Sequence, residues 1–149
     1  VQAEYDEFLL LVRRLLAGTG ARISVVDTDL VSMNLGTAYM LESELLDDSV
    51  VADDAATLAH RWSNYLSISS SLSERVSWEG TVYAQPRLTD FSDVRVLLAT
   101  ALSFELTEKL AFELEFEGRF DSQPPSVQEG FSDLLPFDGE VTQAIVLAF

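Results

Sequence analysis

The sequence of 149 residues contains no cysteine, four prolines and one histidine. The lack of cysteine excludes a disulfide scaffold, thiol catalysis and a cysteine-ligated zinc site, but leaves the compartment open. No apolar run approaches the ~18–20 residues of a membrane helix. Arg13 and Arg14 interrupt the longest candidate, residues 8–17. Only a closed β-barrel would therefore carry this chain across a membrane.

Positive charge is scarce. Nine Lys and Arg against 25 Asp and Glu give a net charge of −16, and Lys109 is the only lysine. This charge argues against nucleic acid or an anionic membrane surface as a partner, because both would repel the chain. A strongly acidic, lysine-poor balance is typical of proteins from saline surroundings. The 48% hydrophobic content excludes a disordered acidic tail and is sufficient for one domain, residues 1–149.

What the chain has instead is a strict alternation of apolar and mostly charged residues, which is clearest in residues 110–121. Successive side chains of a strand point to opposite faces, so this segment separates an apolar wall from a charged one. A soluble barrel hides the apolar wall inside, whereas an outer-membrane barrel turns it toward lipid and keeps the charges in its lumen.

Eight extended segments are predicted, at 1–8, 14–26, 30–42, 61–72, 76–86, 94–106, 110–121 and 140–149. The one helical candidate is residues 53–60, a turn or two within a loop. The fold class predicted is all-β, an antiparallel up-and-down (meander) transmembrane β-barrel of about eight strands. Because the chain opens inside a strand without an initiator Met, we expect a mature or trimmed form that lacks N-terminal strands.

Three polar triplets predict tight turns between neighbouring strands: Asp27-Thr28-Asp29, Ser73-Glu74-Arg75 and Thr107-Glu108-Lys109. Each turn fixes a register, and in each hairpin apolar residues then face apolar ones. The predicted pairs are Ile23 with Met33, Arg22 with Asn34 and Gly20 with Gly36; Ile68 with Gly80, Ser69 with Glu79 and Tyr65 with Tyr83; Phe104 with Phe112, Leu102 with Leu114 and Arg95 with Asp121.

Most connections at the opposite end are predicted to be long, at 42–60, 85–93 and 122–139. Short turns at one end and long loops at the other are typical of transmembrane barrels. Aromatic residues gather near both ends, as interfacial belts require. They are Trp78, Phe104, Phe112 and Phe149 near the short turns, and Tyr39, Trp62, Phe91 and Phe120 near the long loops.

The chain ends with apolar residues at alternate positions before a terminal aromatic, namely Val141, Ile145, Leu147 and Phe149. This ending resembles the sorting signal of bacterial outer-membrane barrels, although any last strand of a sheet would show the same alternation. We therefore expect the last strand to engage the barrel-assembly machinery.

Several motifs together resemble a family of salt-induced outer-membrane proteins of unknown function. They are the Arg-Leu-Leu and Gly-x-Gly-x-Arg strand, the Leu-Gly-x-x-Tyr strand, the Tyr-x-Gln-Pro-x-x-x-Asp-Phe-x-Asp loop from Tyr83 to Asp93, and Arg119-Phe-Asp-Ser with its prolines. The resemblance covers most of the chain. It implies a barrel in the bacterial outer membrane, in contact with membrane lipid and lipopolysaccharide, and names no substrate.

Two sets of residues follow from the alternation. The predicted lumen-facing polar residues are Arg22, Glu79, Arg95, Glu105, Glu113, Glu115, Glu117, Arg119 and Asp121. The predicted lipid-facing residues are Trp78, Leu102, Phe104, Phe112, Leu114, Phe116 and Phe149. The polar set either passes or binds cations, or simply fills a small hydrated interior, since about eight strands leave room for little more than side chains. The second interpretation is favoured, and the oligomeric state stays open.

No motif predicts a cofactor, a metal site or catalysis, so the protein is predicted not to be an enzyme. His60 would need Ser63 and Asp53 or Asp54 nearby to form a hydrolytic group, and no spacing supports that. The acidic pairs Asp47-Asp48 and Asp53-Asp54 lack calcium-loop spacing. Two alternatives remain: a soluble lipocalin-like barrel with an apolar ligand, and a membrane barrel enzyme acting on lipid through His60.

Overall fold

The computed structural model describes residues 2–6, 11–46, 56–124 and 135–147, which form one antiparallel sheet of eight strands in sequence order. This confirms the predicted all-β antiparallel meander. The described residues contain no helix. The strands are β1 (Gln2–Asp6), β2 (Leu11–Asp27), β3 (Val31–Leu46), β4 (Ala56–Ser73), β5 (Val76–Arg87), β6 (Asp90–Thr107), β7 (Leu110–Asp121) and β8 (Phe137–Leu147).

The sheet is strongly curved. Arg95 on β6 is hydrogen-bonded to Glu42 on β3, although β4 and β5 lie between them. In a flat sheet three strand spacings would separate these backbones by roughly 14 Å, too far for such a bond. The face that carries Glu42 and Arg95 is therefore concave. We call it the inner wall, and the opposite, convex face the outer wall.

The sheet is open. Each strand pairs through its backbone only with its sequence neighbours, and β1 does not pair with β8 within the described ranges. The predicted closure into a barrel is thus not seen in this part of the chain. The edges that remain are the unpaired sides of β1 and β8, which present free backbone donors and acceptors.

Two predicted hairpin registers are confirmed. The pairs Phe104 with Phe112 and Arg95 with Asp121 lie opposite one another on β6 and β7. Tyr65 lies opposite Tyr83 in the β4–β5 hairpin. Both hairpins close through two-residue turns, at 74–75 and 108–109, next to a register shift of one residue. That shift preserves the pairing expected from a three-residue loop.

The predicted register of the β2–β3 hairpin is wrong by two residues. Ile23 lies opposite Leu35 rather than Met33, and Gly20 lies opposite Ala38. The loop is residues 28–30, one residue later than predicted, and a bulge interrupts β2 at Val25. A slip of two residues leaves every side chain on its original face, so the alternation alone does not reveal the error.

Two further predictions fail at the other end of the sheet. Residues 56–60 of the helical candidate belong to β4, and residues 53–55 lie outside the described ranges. The long connection predicted at 85–93 is instead a tight turn at Leu88 and Thr89. Pro86 is accommodated beside a register shift, where a strand tolerates a missing backbone donor. The predicted asymmetry between the two ends is therefore weaker than expected.

Candidate functional site

The candidate site is a cluster of arginines and carboxylates on the inner wall, centred on Glu42. This carboxylate on β3 is only 2% exposed. Arg61 Nε lies 2.7 Å from Glu42 Oε2, and Arg14 Nε lies 2.9 Å from Glu42 Oε1. Arg95 also contacts Oε1. Three guanidinium groups from three different strands therefore converge on one carboxylate.

Three further carboxylates complete the cluster. Glu44 bonds Arg14 at 3.1 Å and Arg95 at 3.0 Å. Asp121 accepts a bond of 2.7 Å from Arg95 Nε. Asp93, which is 5% exposed, accepts bonds from Arg61 and lies 3.5 Å from Arg87.

Register and alternation explain why these residues meet. Arg14 lies directly opposite Glu44, and Arg95 lies opposite Asp121. Arg61 lies opposite Arg87, a like-charge pair that is unfavourable on its own. Asp93 bonds both guanidinium groups and removes the repulsion. The four carboxylates and four arginines balance in charge, which is the condition for burying so many ionised groups.

The rest of the inner wall is acidic and lined by small residues. Glu79, Glu115 and Glu117 border a groove of about 210 Å³ together with Thr81, Ala99 and Ala101. No ion pair joins these glutamates to any other described residue. The inner wall thus has two parts, a neutral cluster and an acidic groove.

The predicted lumen-facing residues divide between these parts. Arg95 and Asp121 belong to the cluster, whereas Glu79, Glu115 and Glu117 belong to the groove. Arg119 and Glu113 are half-buried; Arg119 lies opposite Asp138 on β8, and Glu113 lies opposite Ser103 on β6. Arg22 and Glu105 are exposed and lie apart from the cluster. Six members of the cluster are not among the residues predicted from the sequence: Arg14, Glu42, Glu44, Arg61, Arg87 and Asp93.

The outer wall carries the predicted lipid-facing residues. Phe104 and Phe112 lie with ring centroids 6.2 Å apart, and Trp78 Nε1 donates to Thr100 Oγ1 at 2.8 Å. The alternation places Leu102, Leu114 and Phe116 on the same wall. Phe149 lies outside the described residues. Whether this wall contacts lipid stays a prediction.

His60 lies on the outer wall and does not meet Ser63. Alternation along β4 sends Ser63 to the inner wall, where Gln85 Nε2 donates to its hydroxyl at 3.3 Å. His60 Nδ1 lies instead 2.5 Å from the hydroxyl of Tyr39. Asp53 and Asp54 lie outside the described residues. The hydrolytic arrangement of His60 with Ser63 is therefore not formed.

The segment from Tyr83 to Asp93 joins the cluster to the rim of the sheet. Gln85 accepts a bond from Arg61 through its backbone oxygen. At the turn, the hydroxyl and backbone N–H of Ser92 both donate to Asp90 Oδ1, at 2.6 and 3.0 Å. These bonds hold the pKa of Asp90 below its ordinary value, because they stabilise its ionised form.

The described ranges hold no group of three or more His, Asp or Glu side chains arranged to bind a metal ion. No helix among the described residues is long and apolar enough to cross a membrane.

The fold and site together define a class: a curved antiparallel meander sheet with a charged inner wall and an apolar outer wall. The chain belongs to the family described as "Protein of unknown function, DUF481", whose model matches residues 1–131. No curated protein and no solved structure matches it.

Proposed function

We propose that this protein is a β-barrel of the bacterial outer membrane, with a structural, salt-stress or narrow-pore role and a lumen closed by the Glu42 cluster. The observation that carries this proposal is inverted burial. The only buried hydrophobic residue among those described is Ala59. The buried polar residues are Asn34, Glu42, Glu44, Arg61, Ser63 and Asp93.

Buried polar residues and exposed apolar residues are the opposite of the distribution found in a soluble protein. Large hydrophobic side chains such as Ile23, Leu72 and Ile145 are more than half exposed on this sheet. A soluble domain exposes only limited apolar patches, whereas a transmembrane barrel turns an apolar band outward. A lipocalin-like carrier would need the apolar wall to be concave, so the curvature favours the membrane.

A membrane-spanning sheet also needs closure, since lipid satisfies no backbone hydrogen bond. We propose that the edges of β1 and β8 are paired in the complete barrel, which removes both free edges. The resemblance of the sequence to salt-induced outer-membrane proteins supports this setting. In it, membrane lipid and lipopolysaccharide are the surroundings, and the last strand engages the assembly machinery.

The Glu42 cluster supports a closed lumen rather than a wide pore. Its four carboxylates and four arginines balance in charge and join β2, β3, β4, β5, β6 and β7 through side chains that are mostly buried. A small barrel leaves little free space inside, and a satisfied ionic cluster fills it. Such a lumen stabilises the shape of the barrel and has at most a low ion conductance.

The test is refolding with and without detergent, followed by planar-bilayer recording. We expect the purified chain to aggregate in buffer and to be monodisperse in detergent micelles. We expect little conductance from the native protein, and cation-selective conductance from an Arg61→Ala/Arg95→Ala variant, because the acidic groove then lines an open path. A chain that is soluble and monodisperse without detergent would overturn the proposal.

A further inference from the structure

The outer wall contains a groove of about 490 Å³ that runs across β2, β3, β4 and β5. The register places one residue of each strand in a row along its floor: Ala21, Thr37, Asn64 and Ala84. The next row toward the short turns is larger and aliphatic: Ile23, Leu35, Leu66 and Val82. The row on the other side begins with Thr19 and rises to Tyr39 and Trp62.

The groove is uncharged, and the polar side chains of Thr37, Asn64 and Trp62 are already hydrogen-bonded to one another. Trp62 Nε1 donates to Thr37 Oγ1 at 2.7 Å, and Thr37 Oγ1 donates to Asn64 Oδ1 at 2.8 Å. A peptide backbone laid in this groove would find too few partners for its own polar groups. A second copy of the chain would bring another charge of −16, which opposes association. The occupant that fits is a hydrocarbon chain.

The side of the groove that faces the rim of the sheet carries polar and aromatic side chains. The Tyr39 and Trp62 row continues to Pro86 and Val94, close to the turn at Leu88 and Thr89. Tyr39 is bonded to His60 on the side away from the groove. Amphipathic aromatic residues favour the level of lipid headgroups and esters.

We propose that this groove binds one acyl chain of a diacyl phospholipid, with the ester region of that lipid beside Tyr39, Trp62 and His60. From the Tyr39 and Trp62 row to the aliphatic row that contains Leu35, the groove covers four residue spacings of β3, roughly 13 Å, and so accommodates an extended hydrocarbon segment that runs along the strands. The apolar outer wall continues on both sides of it, at Leu15 and Leu98 for example. The inference rests on the proposed function, because the groove meets lipid only if the outer wall lies in a bilayer.

The two tryptophans of the chain provide matched reporters, since Trp62 borders the groove and Trp78 lies on the outer wall away from it. The probe is phosphatidylcholine brominated along its acyl chains, which quenches tryptophan fluorescence on contact. It is titrated into the full chain folded in unbrominated detergent micelles. Trp78→Phe leaves Trp62 as the only tryptophan, and Trp62→Phe leaves Trp78.

We expect Trp62 quenching to saturate near one equivalent of brominated lipid, while Trp78 quenching rises gradually with the brominated fraction of the micelle. An Ala21→Leu/Ala84→Leu variant fills the groove. It should weaken the saturable step by roughly tenfold or more, because lost contact with even two methylenes has that effect. Val141→Phe adds bulk to the outer wall outside the groove and should leave the step unchanged.

Two results would overturn the inference in distinguishable ways. If Trp62 quenching rises gradually and the filled variant behaves like the native chain, the groove binds no particular lipid and the proposed function stands. If neither tryptophan is quenched although the chain is folded, the outer wall does not contact lipid. The proposed function then fails together with the inference.

Discussion

At the scale of single residues, Glu42 takes part in more of the described ion pairs than any other carboxylate. Its carboxylate joins Arg14, Arg61 and Arg95 while being almost inaccessible to water. Removing one partner of a buried ion pair costs more than the pair itself contributes, because the remaining charges stay buried without compensation. The neighbouring arginines make that cost especially large here.

We predict that Glu42→Ala lowers the free energy of unfolding by about 3 kcal/mol or more. The loss should persist at high salt, since buried charges are poorly screened. Urea unfolding of the detergent-folded protein, followed by tryptophan fluorescence, measures it. Glu115→Ala is the control, because Glu115 lies on the same wall without an ion pair to any residue the structure describes. Equal losses in both variants would contradict the role given to Glu42.

Gly36 supports a second residue-level prediction. The ring of Tyr65 lies over it, so that a Cβ at this position would be 2.0 Å from Tyr65 Cε1. Valine normally suits a strand better than glycine, yet Gly36→Val should destabilise the protein by about 1–3 kcal/mol through this overlap. The same urea experiment measures the loss.

A double-mutant cycle with Tyr65→Ala isolates the contact. Without the ring, Gly36→Val should cost little or should stabilise the strand. Additive losses would show that Tyr65 is not what excludes a side chain at Gly36.

At the scale of elements, the sequence predicts the hairpins better than the cluster. The β4–β5 and β6–β7 registers follow from short turns and uninterrupted alternation, so Tyr65–Tyr83 and Phe104–Phe112 are predictable. The β2–β3 register is not, because the loop is residues 28–30, one residue later than the polar triplet predicts, and moving a loop by one residue shifts the pairing by two without changing any face.

The cluster is harder to predict because its central contacts, from Glu42 to Arg61 and Arg95, join strands that no short turn connects. β3 and β4 are separated by residues 47–55, so no turn fixes the position of Arg61 relative to Glu42. Arg95 reaches Glu42 only through the curvature of the sheet. Alternation tells which wall a residue occupies, but not which residues of distant strands meet there.

The corrected β2–β3 register is testable because the chain has no cysteine of its own. We predict that Ile23→Cys with Leu35→Cys forms a disulfide under mild oxidation, since directly opposite Cβ atoms lie about 4.5–5.5 Å apart. Ile23→Cys with Met33→Cys should form it far more slowly, because diagonal neighbours are about 7–8 Å apart. The shift of the oxidised band on a denaturing gel measures both yields. A faster reaction at Met33 would restore the predicted register.

At the scale of the whole molecule, the outer wall decides between membrane and water. We predict that Leu114→Arg lowers the stability of the protein in lipid vesicles by about 2–4 kcal/mol if this residue lies near the bilayer midplane. Glu115→Arg, one residue along and on the inner wall, should cost much less. Denaturant titration of vesicle-folded protein measures both values. If Leu114→Arg is neutral or improves solubility in buffer, the outer wall faces water.

The curvature that brings Arg95 to Glu42 also bears on the order in which contacts form during folding. These residues are 53 positions apart in sequence, whereas the hairpins β4–β5 and β6–β7 close between immediate neighbours. Local contacts form early and distant ones late, because closing a longer loop costs more conformational entropy. The hairpins should therefore assemble first, and the charges of β3 should stay hydrated until β6 arrives. The contacts of the Glu42 cluster then form last, after the transition state for folding. Substitutions in the cluster should therefore accelerate unfolding far more than they slow folding.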